Sequence, residues 1–301
     1  MNLCNISDVK RLLSEFNTGT KKGFGQNFLI NEEIPYKIAE ESYLCHIKKA
    51  GEGKSGVIEI GPGIGTLTCK LCERYDKVVA VEIDKTLIPV LDKTLAEYGN
   101  KEIINEDFLK LDLEKLVSEK FGDGAAVSVC ANLPYYITTP IIMKILEESF
   151  AKKVRFLSVT VMVQKEVAGR LCASAGDSEY GAITASLNYY GKAKKLFDVS
   201  PENFMPSPKV TSSVIQIEPH EQIPYKVSNE KMLFEVIAGA FAQRRKTLVN
   251  SLSSYFKTVS KEEIANIITS LGYDINIRGE KLGTEDFCRI ADELIKKGMS
   301  I

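Results

Sequence analysis

A short motif after an apolar run has the residue types needed for chemistry on an aromatic amine: Asn132, Leu133, Pro134 and Tyr135. The lone pair of such an amine is delocalised into its ring, so a catalyst must hold the nitrogen with acceptors that favour a more tetrahedral geometry. The side-chain carbonyl of Asn132 and the main-chain carbonyl of Leu133 can be these acceptors. Pro134 stiffens the turn, and Tyr135 offers a ring for an extruded base. The motif indicates chemistry on a base, with a plain turn after a strand as the alternative.

A glycine-rich turn follows another apolar run, with Gly61, Gly63 and Gly65 directly after residues 57–60. Glycine lets the main chain approach a ligand closely and adopt φ values that a Cβ atom disfavours. The spacing differs from the dinucleotide fingerprint Gly-x-Gly-x-x-Gly, and no Lys-Ser/Thr pair follows as in a phosphate-binding loop. The turn therefore favours a nucleotide-like cofactor over a nicotinamide dinucleotide or a nucleoside triphosphate. A purely structural strand-to-helix turn is the alternative.

Two carboxylates lie at the ends of the next two apolar runs. Glu82 lies near the end of residues 78–83, and Asp107 follows residues 102–104. A carboxylate at a neighbouring strand end can accept hydrogen bonds from both hydroxyls of a ribose, so we expect Glu82 to bind the ribose. A second carboxylate can accept from the exocyclic amine of an adenine, and we assign that role to Asp107. For either residue alone, a solvated acid at a strand end is the alternative.

The elements that must position these residues are predicted by the alternation of β-branched apolar runs with helical patterns. This order predicts an α/β fold with a mostly parallel sheet and helices on both faces, in which ligands bind at the carboxyl ends of the strands. Each motif follows such an end. A later alternating run, residues 210–217, is predicted to close the sheet. The five earlier strands are predicted at residues 57–60, 78–83, 102–104, 126–130 and 156–163.

The C-terminal part of the chain shows only helical patterns. Apolar residues share one helix face within residues 233–241 and another within residues 264–271. The intervening segment 218–229 contains two prolines and is predicted to be a linker. We place a domain boundary near Pro219, which divides the chain into residues 1–218 and a small all-α domain of residues 219–301.

Composition restricts the possible partners and compartments. The 301 residues include 39 Lys and Arg against 40 Asp and Glu, so a polyanion must be bound by local basic patches. No apolar run approaches the roughly 18 to 20 residues that cross a bilayer, and the start of the chain lacks a signal-peptide pattern. The seven cysteines are scattered and odd in number, which favours reduced thiols. We expect a cytoplasmic protein that does not contact a membrane, and a monomer.

A metal site is not expected. Cys69 and Cys72 have redox or zinc spacing, but no second pair or histidine lies near them in the sequence. The two histidines, His46 and His220, lie away from every motif.

The combined motifs resemble those of class I S-adenosylmethionine-dependent methyltransferases, and Asn-Leu-Pro-Tyr after the fourth strand resembles the branch that methylates N6 of adenine. Residues 24–29, 164–170 and 204–210 with Ser213 are similar to stretches of the ribosomal RNA adenine N6,N6-dimethyltransferases. Residues 241–252 are similar to the small-subunit members, which dimethylate two adjacent adenines near the 3′ end of 16S rRNA. The resemblance extends from about residue 21 to residue 290. It implies a Rossmann-like methyltransferase domain in residues 1–218.

The resemblance also implies roles for single residues. Asn27 and Leu29 would contact S-adenosyl-L-methionine, and Gly61 and Gly63 would lie beside its methionine part. Asn132 would lie between the methyl donor and the target nitrogen. The implied reaction is in-line methyl transfer from a sulfonium, repeated on the same nitrogen. The remaining implied contact is a stacking interaction on the adenine face opposite Tyr135, made by Phe204.

Basic residues in several places offer contacts to the implied partner, the 16S rRNA of the small ribosomal subunit. Folding can gather some of them into one stripe, while others are solvated charges. Because the net charge is −1, we expect recognition to depend partly on the shape of an assembled ribosomal particle. The residues assigned to RNA binding, the last three in the predicted helical domain, are Lys165, Arg170, Arg244, Arg245 and Lys246.

Three alternatives remain at this point. A 23S rRNA methyltransferase of the macrolide-resistance type shares the implied fold and chemistry, but its members more often have isoleucine where this chain has Leu133. A non-catalytic assembly or transcription factor of the same fold is the second alternative. An NAD-dependent dehydrogenase is the third, and the glycine spacing argues against it.

Overall fold

The structure is a computed structural model that describes residues 1–19, 26–51, 53–151 and 154–299. The chain divides into two compact units. The described residues of Met1–Ala168 and Ala193–Pro219 form the first unit, and those of Gly169–Lys192 and His220–Ile301 form the second. The first unit thus ends at the predicted boundary, but residues 169–192, predicted in the first domain, belong to the second unit.

A seven-stranded sheet forms the centre of the first unit, with the strand order β4-β3-β2-β5-β6-β9-β7. Neighbouring strands from β4 to β6 are parallel, and β9 is antiparallel to β6. A separate two-stranded sheet pairs β1 with β8. The strands are β1 Phe28–Leu29, β2 Gly56–Ile60, β3 Lys77–Glu82, β4 Lys101–Asn105, β5 Ala126–Asn132, β6 Arg155–Gln164, β7 Gly191–Val199, β8 Phe204–Met205 and β9 Ser212–Pro219.

The strand order reverses between β2 and β5. From β2 the chain builds outward to β3 and β4, and it then returns to place β5 on the other side of β2. In open α/β sheets, ligands bind beside the carboxyl ends of the strands at such a reversal. Every residue of β2 is buried, and because successive side chains of a strand point to opposite faces, both faces of the sheet are covered at this strand.

Helices connect the parallel strands, as the alternating sequence pattern predicts. Asn5 caps the first helix through its side-chain oxygen, and Asp112 caps the fifth in the same way. Helix α2 packs on β5 and β6. The helices within residues 1–172 are α1 Ile6–Glu15, α2 Glu33–Ala50, α3 Thr66–Cys72, α4 Ile88–Thr94, α5 Leu113–Phe121, α6 Thr138–Ala151 and α7 Lys165–Cys172.

The predicted strands all occur, with bounds shifted by a few residues at most. The prediction that the last strand closes the sheet is wrong, because β9 lies between β6 and β7. Strand β7 forms the edge and carries exposed lysines, which is typical of edge strands and hides the apolar alternation on which the prediction relied. Helix α1, in the polar start of the chain, was also not predicted.

The second unit is built from helices. Helix α9 packs against α8, α10 and α12, and its buried face contains Leu233, Val236, Ile237 and Ala240, as predicted. Residues 169–192 belong to this unit because α8 contacts both α9 and α12. Within the described residues, no helix has the length and apolar character required to cross a membrane. The helices of this unit are α8 Ala182–Tyr190, α9 Glu230–Ala242, α10 Leu248–Tyr255, α11 Lys261–Ser270 and α12 Thr284–Lys296.

Candidate active site

A cleft lies at the carboxyl ends of β2, β3, β4 and β5, where the strand order reverses. Its empty volume is about 1090 Å³, including the part that is open to solvent. The segment 26–29 forms part of its wall. The cleft brings together ten residues that the sequence assigned to catalysis or cofactor binding, which are Asn27, Leu29, Gly61, Gly63, Glu82, Asp107, Asn132, Leu133, Pro134 and Tyr135.

The glycine turn requires glycine for two different reasons. Gly61, Gly63 and Gly65 all have positive φ values, of 68°, 61° and 93°. A Cβ atom on Gly61 would have no neighbour within 4 Å, so open space adjoins the main chain there. A Cβ atom on Gly63 would lie only 3.2 Å from the ring of Phe28. The turn therefore leaves room for a ligand at Gly61 and packs tightly at Gly63.

Glu82, the last residue of β3, is held by the main chain around it. One carboxylate oxygen accepts a hydrogen bond from the Asp84 N–H at 2.8 Å, and the other accepts one from the Gly63 N–H at 3.3 Å. The side chain is only 4% exposed, and burial raises its pKa. These bonds connect the carboxylate of β3 to the glycine turn after β2, and both line the same cleft.

Asp107 begins a short 3-10 helix, Phe108–Lys110, at the end of β4. Its Oδ1 accepts a hydrogen bond from the Leu109 N–H at 3.0 Å. Its Oδ2 lies 3.9 Å from the ammonium group of Lys110. One oxygen is thus engaged in the turn, while the second can still accept a hydrogen bond from a ligand.

Asn132 is the last residue of β5, and its amide is oriented by the segment 26–29, which also lines the cleft. Its Nδ2 donates a hydrogen bond to the main-chain carbonyl of Asn27 at 3.2 Å. Because the nitrogen must face that carbonyl, the side-chain oxygen Oδ1 is the atom available to accept from a ligand. The next residue, Leu133, is 2% exposed, so the acceptor lies beside apolar surface.

The turn after Asn132 holds two consecutive tyrosines in different environments. The Ile137 N–H donates to the Pro134 carbonyl at 3.2 Å and closes the turn around them. The Tyr135 hydroxyl lies 2.8 Å from the hydroxyl of Ser212, the first residue of β9, and burial raises the pKa of Tyr135. Tyr136 is 61% exposed. Tyr135 is fixed, whereas Tyr136 presents its ring to solvent.

Comparisons with known proteins identify the family of the chain. The sequence profile described as ribosomal RNA adenine dimethylase matches residues 17–296. The chain belongs to this family. Over 289 residues it is 45% identical to the ribosomal RNA small subunit methyltransferase A of Alkaliphilus oremlandii, covering 96% of each chain. It is 42% identical to the protein of the same name from Oceanobacillus iheyensis, covering 95% of this chain and 94% of the relative.

Solved structures show the same fold. A dimethyladenosine transferase from Plasmodium falciparum superposes with a TM-score of 0.70 and 26% identity, over 90% of this chain and 98% of the other. A 23S rRNA methyltransferase superposes with a TM-score of 0.65 and 20% identity, over 89% of this chain and all of the other. The Rossmann-like methyltransferase fold is thus confirmed, and the chain is an enzyme of the adenine dimethylase family.

One residue implied by the resemblance to adenine dimethylases is placed elsewhere. Phe204 is 3% exposed and pairs with Leu29 between β8 and β1. Its side chain belongs to a core cluster that includes Ile34 and Ile38, and it is not among the residues that line the cleft. The structure therefore does not place a free face of Phe204 opposite Tyr135, because this aromatic side chain is used in the core.

The dimethylase cleft contains a further carboxyl group that the sequence did not single out. Glu59 lies within β2, lines the cleft and is only 1% exposed. Its Oε2 has no hydrogen-bond partner among the described residues, and burial raises its pKa to about 8. An acidic residue inside an otherwise apolar strand was the visible signal. Its unpaired oxygen makes it a candidate ligand contact.

The basic residues assigned to RNA differ in their local contacts. In the first unit, Lys165 forms an ion pair with Asp198 at 2.9 Å. In the second unit, Arg244 donates to the main-chain carbonyls of Ser178 and Tyr180 and lies 3.9 Å from Glu280. Arg244 therefore supports the local fold. Arg170, Arg245 and Lys246 are exposed.

The remaining sequence features concern residues outside the described part of the chain, metal binding and the Cys69–Cys72 pair. Residues 21, 22, 24, 25, 152 and 153, which belong to the predicted motifs or basic clusters, lie outside the described residues. Among the residues that are described, no group of three or more His, Cys, Asp or Glu could hold a metal ion. Burial raises the pKa of Cys69 to about 11 and that of Cys72 to about 12, so both remain protonated thiols at neutral pH.

Proposed function

We propose that the protein transfers methyl groups from S-adenosyl-L-methionine to N6 of two adjacent adenines near the 3′ end of 16S rRNA. The main support is the orientation of the Asn132 amide: its hydrogen bond to Asn27 leaves the side-chain carbonyl oxygen of Asn132 available in the cleft. The relatives that are 45% and 42% identical are named small-subunit methyltransferases, which supports this substrate. We propose that the enzyme acts as a monomer in the cytoplasm.

The cleft fits S-adenosyl-L-methionine, which carries positive charge on its sulfonium and its amino group. Glu59 and Glu82 are buried carboxyl groups in the cleft, and Oε2 of Glu59 lacks a hydrogen-bond partner among the described residues. The open space beside Gly61 provides room at the main chain. Donor groups of a cation would satisfy such carboxyl oxygens.

Each part of the cofactor has matching residues in the cleft. The methionine part would be held near Gly61 and Gly63, with Asn27 and Leu29 on the segment that forms the opposite wall. Glu82 would accept from the ribose hydroxyls, and Asp107 from the adenine amine. When bound, the cofactor supplies an electrophilic methyl group on a positively charged sulfur.

The chain's own residues would position the nucleophile. The Oδ1 of Asn132 and the main-chain carbonyl of Leu133 would accept from the target amine and favour the tetrahedral geometry in which its lone pair is directed at the methyl group. The ring of Tyr135, fixed by Ser212, would support the extruded base. Buried Leu133 and half-buried Pro134 would exclude water from the same place, so catalysis would rest on orientation and desolvation.

Exposed basic residues, present in each of the two units, would bind the RNA backbone. We assign phosphate contacts to Lys165, Arg170, Arg245 and Lys246, because all four are exposed cations. Arg244, assigned to RNA by the sequence, would act mainly by fixing the turn that contains Ser178 and Tyr180.

The test is a methyl-transfer assay with labelled S-adenosyl-L-methionine, followed by nucleoside mass spectrometry. Undermethylated small ribosomal subunits are offered in one reaction and protein-free large-subunit RNA in another. We expect N6,N6-dimethyladenosine only in the small subunit. Product only in the large-subunit RNA would assign the protein to the resistance type. Cofactor binding without product in either reaction would indicate an assembly or transcription factor.

A further inference from the structure

Tyr136 is an exposed aromatic residue at the candidate active site that has no role in the scheme above. It is 61% exposed, more than any other large hydrophobic side chain in the described part of the chain. It also lines the cleft that contains Asn132 and Tyr135. Among the described residues, no hydrogen bond or ring contact engages its side chain. Tyr136 therefore contributes little to the core and presents an aromatic face beside the proposed reaction centre.

The main chain holds this ring in a defined place. Tyr135 and Tyr136 are the two central residues of the turn closed by the Ile137 N–H and the Pro134 carbonyl at 3.2 Å. Thr138 is the first residue of helix α6, and its hydroxyl donates to the same carbonyl at 3.4 Å. The neighbouring Tyr135 is anchored by Ser212. Because the turn is fixed from both sides, a ligand that covers Tyr136 would have little main-chain entropy to remove.

A substrate base that enters the cleft leaves a neighbouring nucleotide without its stacking partner. Extruding a base breaks its stacking on adjacent bases, and proteins replace that stacking with aromatic side chains. Base–aromatic stacking does not depend on base identity, because every base has a π face. Tyr136 directly follows Tyr135 in the turn, so its ring is suitably placed in the sequence to stack on this neighbouring nucleotide.

We propose that Tyr136 is a stacking platform for the nucleotide adjacent to the target adenine. The inference rests on the proposed function, in which Tyr135 supports the target base itself. The two tyrosines would then bind two consecutive bases of one RNA strand. Because the proposed substrate contains two adjacent adenines, the base on Tyr136 would be the second methylation target while the first occupies the cleft.

The kinetic test compares variants of Tyr136 in methyl transfer to undermethylated small subunits. We expect Tyr136→Ala to raise KM for the subunit about tenfold, with kcat and the cofactor-induced increase in Tm unchanged. Tyr136→Phe should keep the wild-type KM, whereas Tyr136→Leu should behave like Tyr136→Ala because it lacks a flat aromatic face. The matched control is Tyr36→Ala, which removes a 45% exposed tyrosine that does not line the cleft.

A direct test uses the absence of tryptophan from the sequence. In Tyr136→Trp the introduced indole is the only one, so its fluorescence reports contact with a protein-free RNA fragment of the small-subunit 3′ end. Stacking on a base should quench it in this variant and not in Tyr36→Trp. Anisotropy of the labelled fragment shows whether RNA is bound, and binding without quenching would contradict the proposal. Where the fragment does not bind, the KM comparison decides.

The two hypotheses fail in different ways. A wild-type protein that dimethylates small subunits, with an unchanged KM in Tyr136→Ala, would overturn the stacking platform and leave the proposed function intact. A wild-type protein that forms no dimethyladenosine in any RNA would overturn the proposed function. Quenching of Tyr136→Trp by RNA would then still support the aromatic contact.

Discussion

The two halves of the cleft are held in place in different ways. The cofactor half, defined as Gly61, Gly63, Glu82 and Asp107, is fixed by hydrogen bonds from the main chain to carboxylates at the strand ends. The substrate half, residues 132–136, lies on a single turn that a main-chain bond closes, but its Asn132 and Tyr135 side chains are oriented by one side-chain bond each. Cofactor binding is therefore tied to the fold itself, whereas base recognition depends on a few replaceable contacts.

This difference predicts that substitutions in the two halves affect separable properties. A change in the cofactor half should alter affinity for S-adenosyl-L-methionine, while a change in the substrate half should alter turnover or RNA affinity. Interactions made only in the transition state lower kcat when removed, and interactions made equally in both states lower affinity.

The largest effect is expected for Asn132→Ala in the substrate half. The substitution removes the acceptor that favours the reactive geometry of the amine, so kcat should fall by about a hundredfold or more. Cofactor affinity, measured by calorimetry, should change little. The comparison between the halves breaks down if the variant turns over normally, or if it loses cofactor binding to the same extent as turnover.

The next largest effect is expected for Glu82→Ala in the cofactor half. The variant loses the proposed acceptor for the ribose and also the bonds to the N–H groups of Gly63 and Asp84. Affinity for the cofactor should fall about tenfold or more, since hydrogen bonds to a charged group each contribute about 1.5–3 kcal/mol. At saturating cofactor, kcat should stay within a fewfold of wild type.

Glu73→Ala is a suitable control for Glu82→Ala, because this carboxylate lies on the surface and does not line the cleft. Calorimetry should give wild-type affinity for it. Equal losses in the two variants would show that the affinity depends on overall charge and not on the placed carboxylate.

A smaller effect is expected at the bond between Tyr135 and Ser212. Tyr135→Phe and Ser212→Ala each remove one partner of the bond, which is 2.8 Å long, and each should lower kcat about fivefold, as expected for one hydrogen bond. The double variant should be no slower than either single variant, because both remove the same interaction. Steady-state kinetics on small subunits measure this cycle. Additive losses would mean that Ser212 acts only through the stability of β9.

Much of the fold was predictable because β-branched runs and helical periods dominate the sequence. The exceptions have physical causes. Strand β7 is an edge strand whose lysines face solvent, so its sequence lacks the apolar alternation of the inner strands. Helix α8 belongs to the second unit because it packs against α9 and α12. These contacts join segments far apart in the sequence, so no local pattern predicted them.

The candidate site was predictable where chemistry restricts the residue type and not where packing decides. Glycines and carboxylates at strand ends could be assigned from their positions. The burial of Phe204 depends on the pairing of β8 with β1, which joins segments far apart in the sequence. The structural role of Arg244 could not be distinguished in the sequence from the RNA contacts predicted for Arg245 and Lys246. The carbonyls that accept its hydrogen bonds lie 64 and 66 residues away in the chain.

The last effect is expected on stability and not on turnover, and it concerns Glu59, the one cofactor-side carboxyl group whose Oε2 has no partner among the described residues. Burial raises its pKa in the folded protein from 4.5 to about 8, so the folded state holds a proton that the unfolded state releases between these values. The stability that this proton provides is present below about pH 4.5 and is lost as the pH rises through about 8. Wild type should therefore lose stability from pH 5 to pH 9 relative to Glu59→Gln, whose side chain stays neutral.

Thermal unfolding of both proteins across this range measures the effect, and the difference should reach roughly 5–10 °C in Tm at pH 9, by the usual conversion for a protein of this size. Other titrating groups, such as His46, are shared by the two proteins and cancel in the difference. A bound cation favours the ionised carboxyl group, so cofactor affinity should rise with pH in wild type and not in Glu59→Gln. A pH-independent difference in Tm would show that Glu59 does not titrate in this window, and that the cofactor half is held by Glu82 and the main chain alone.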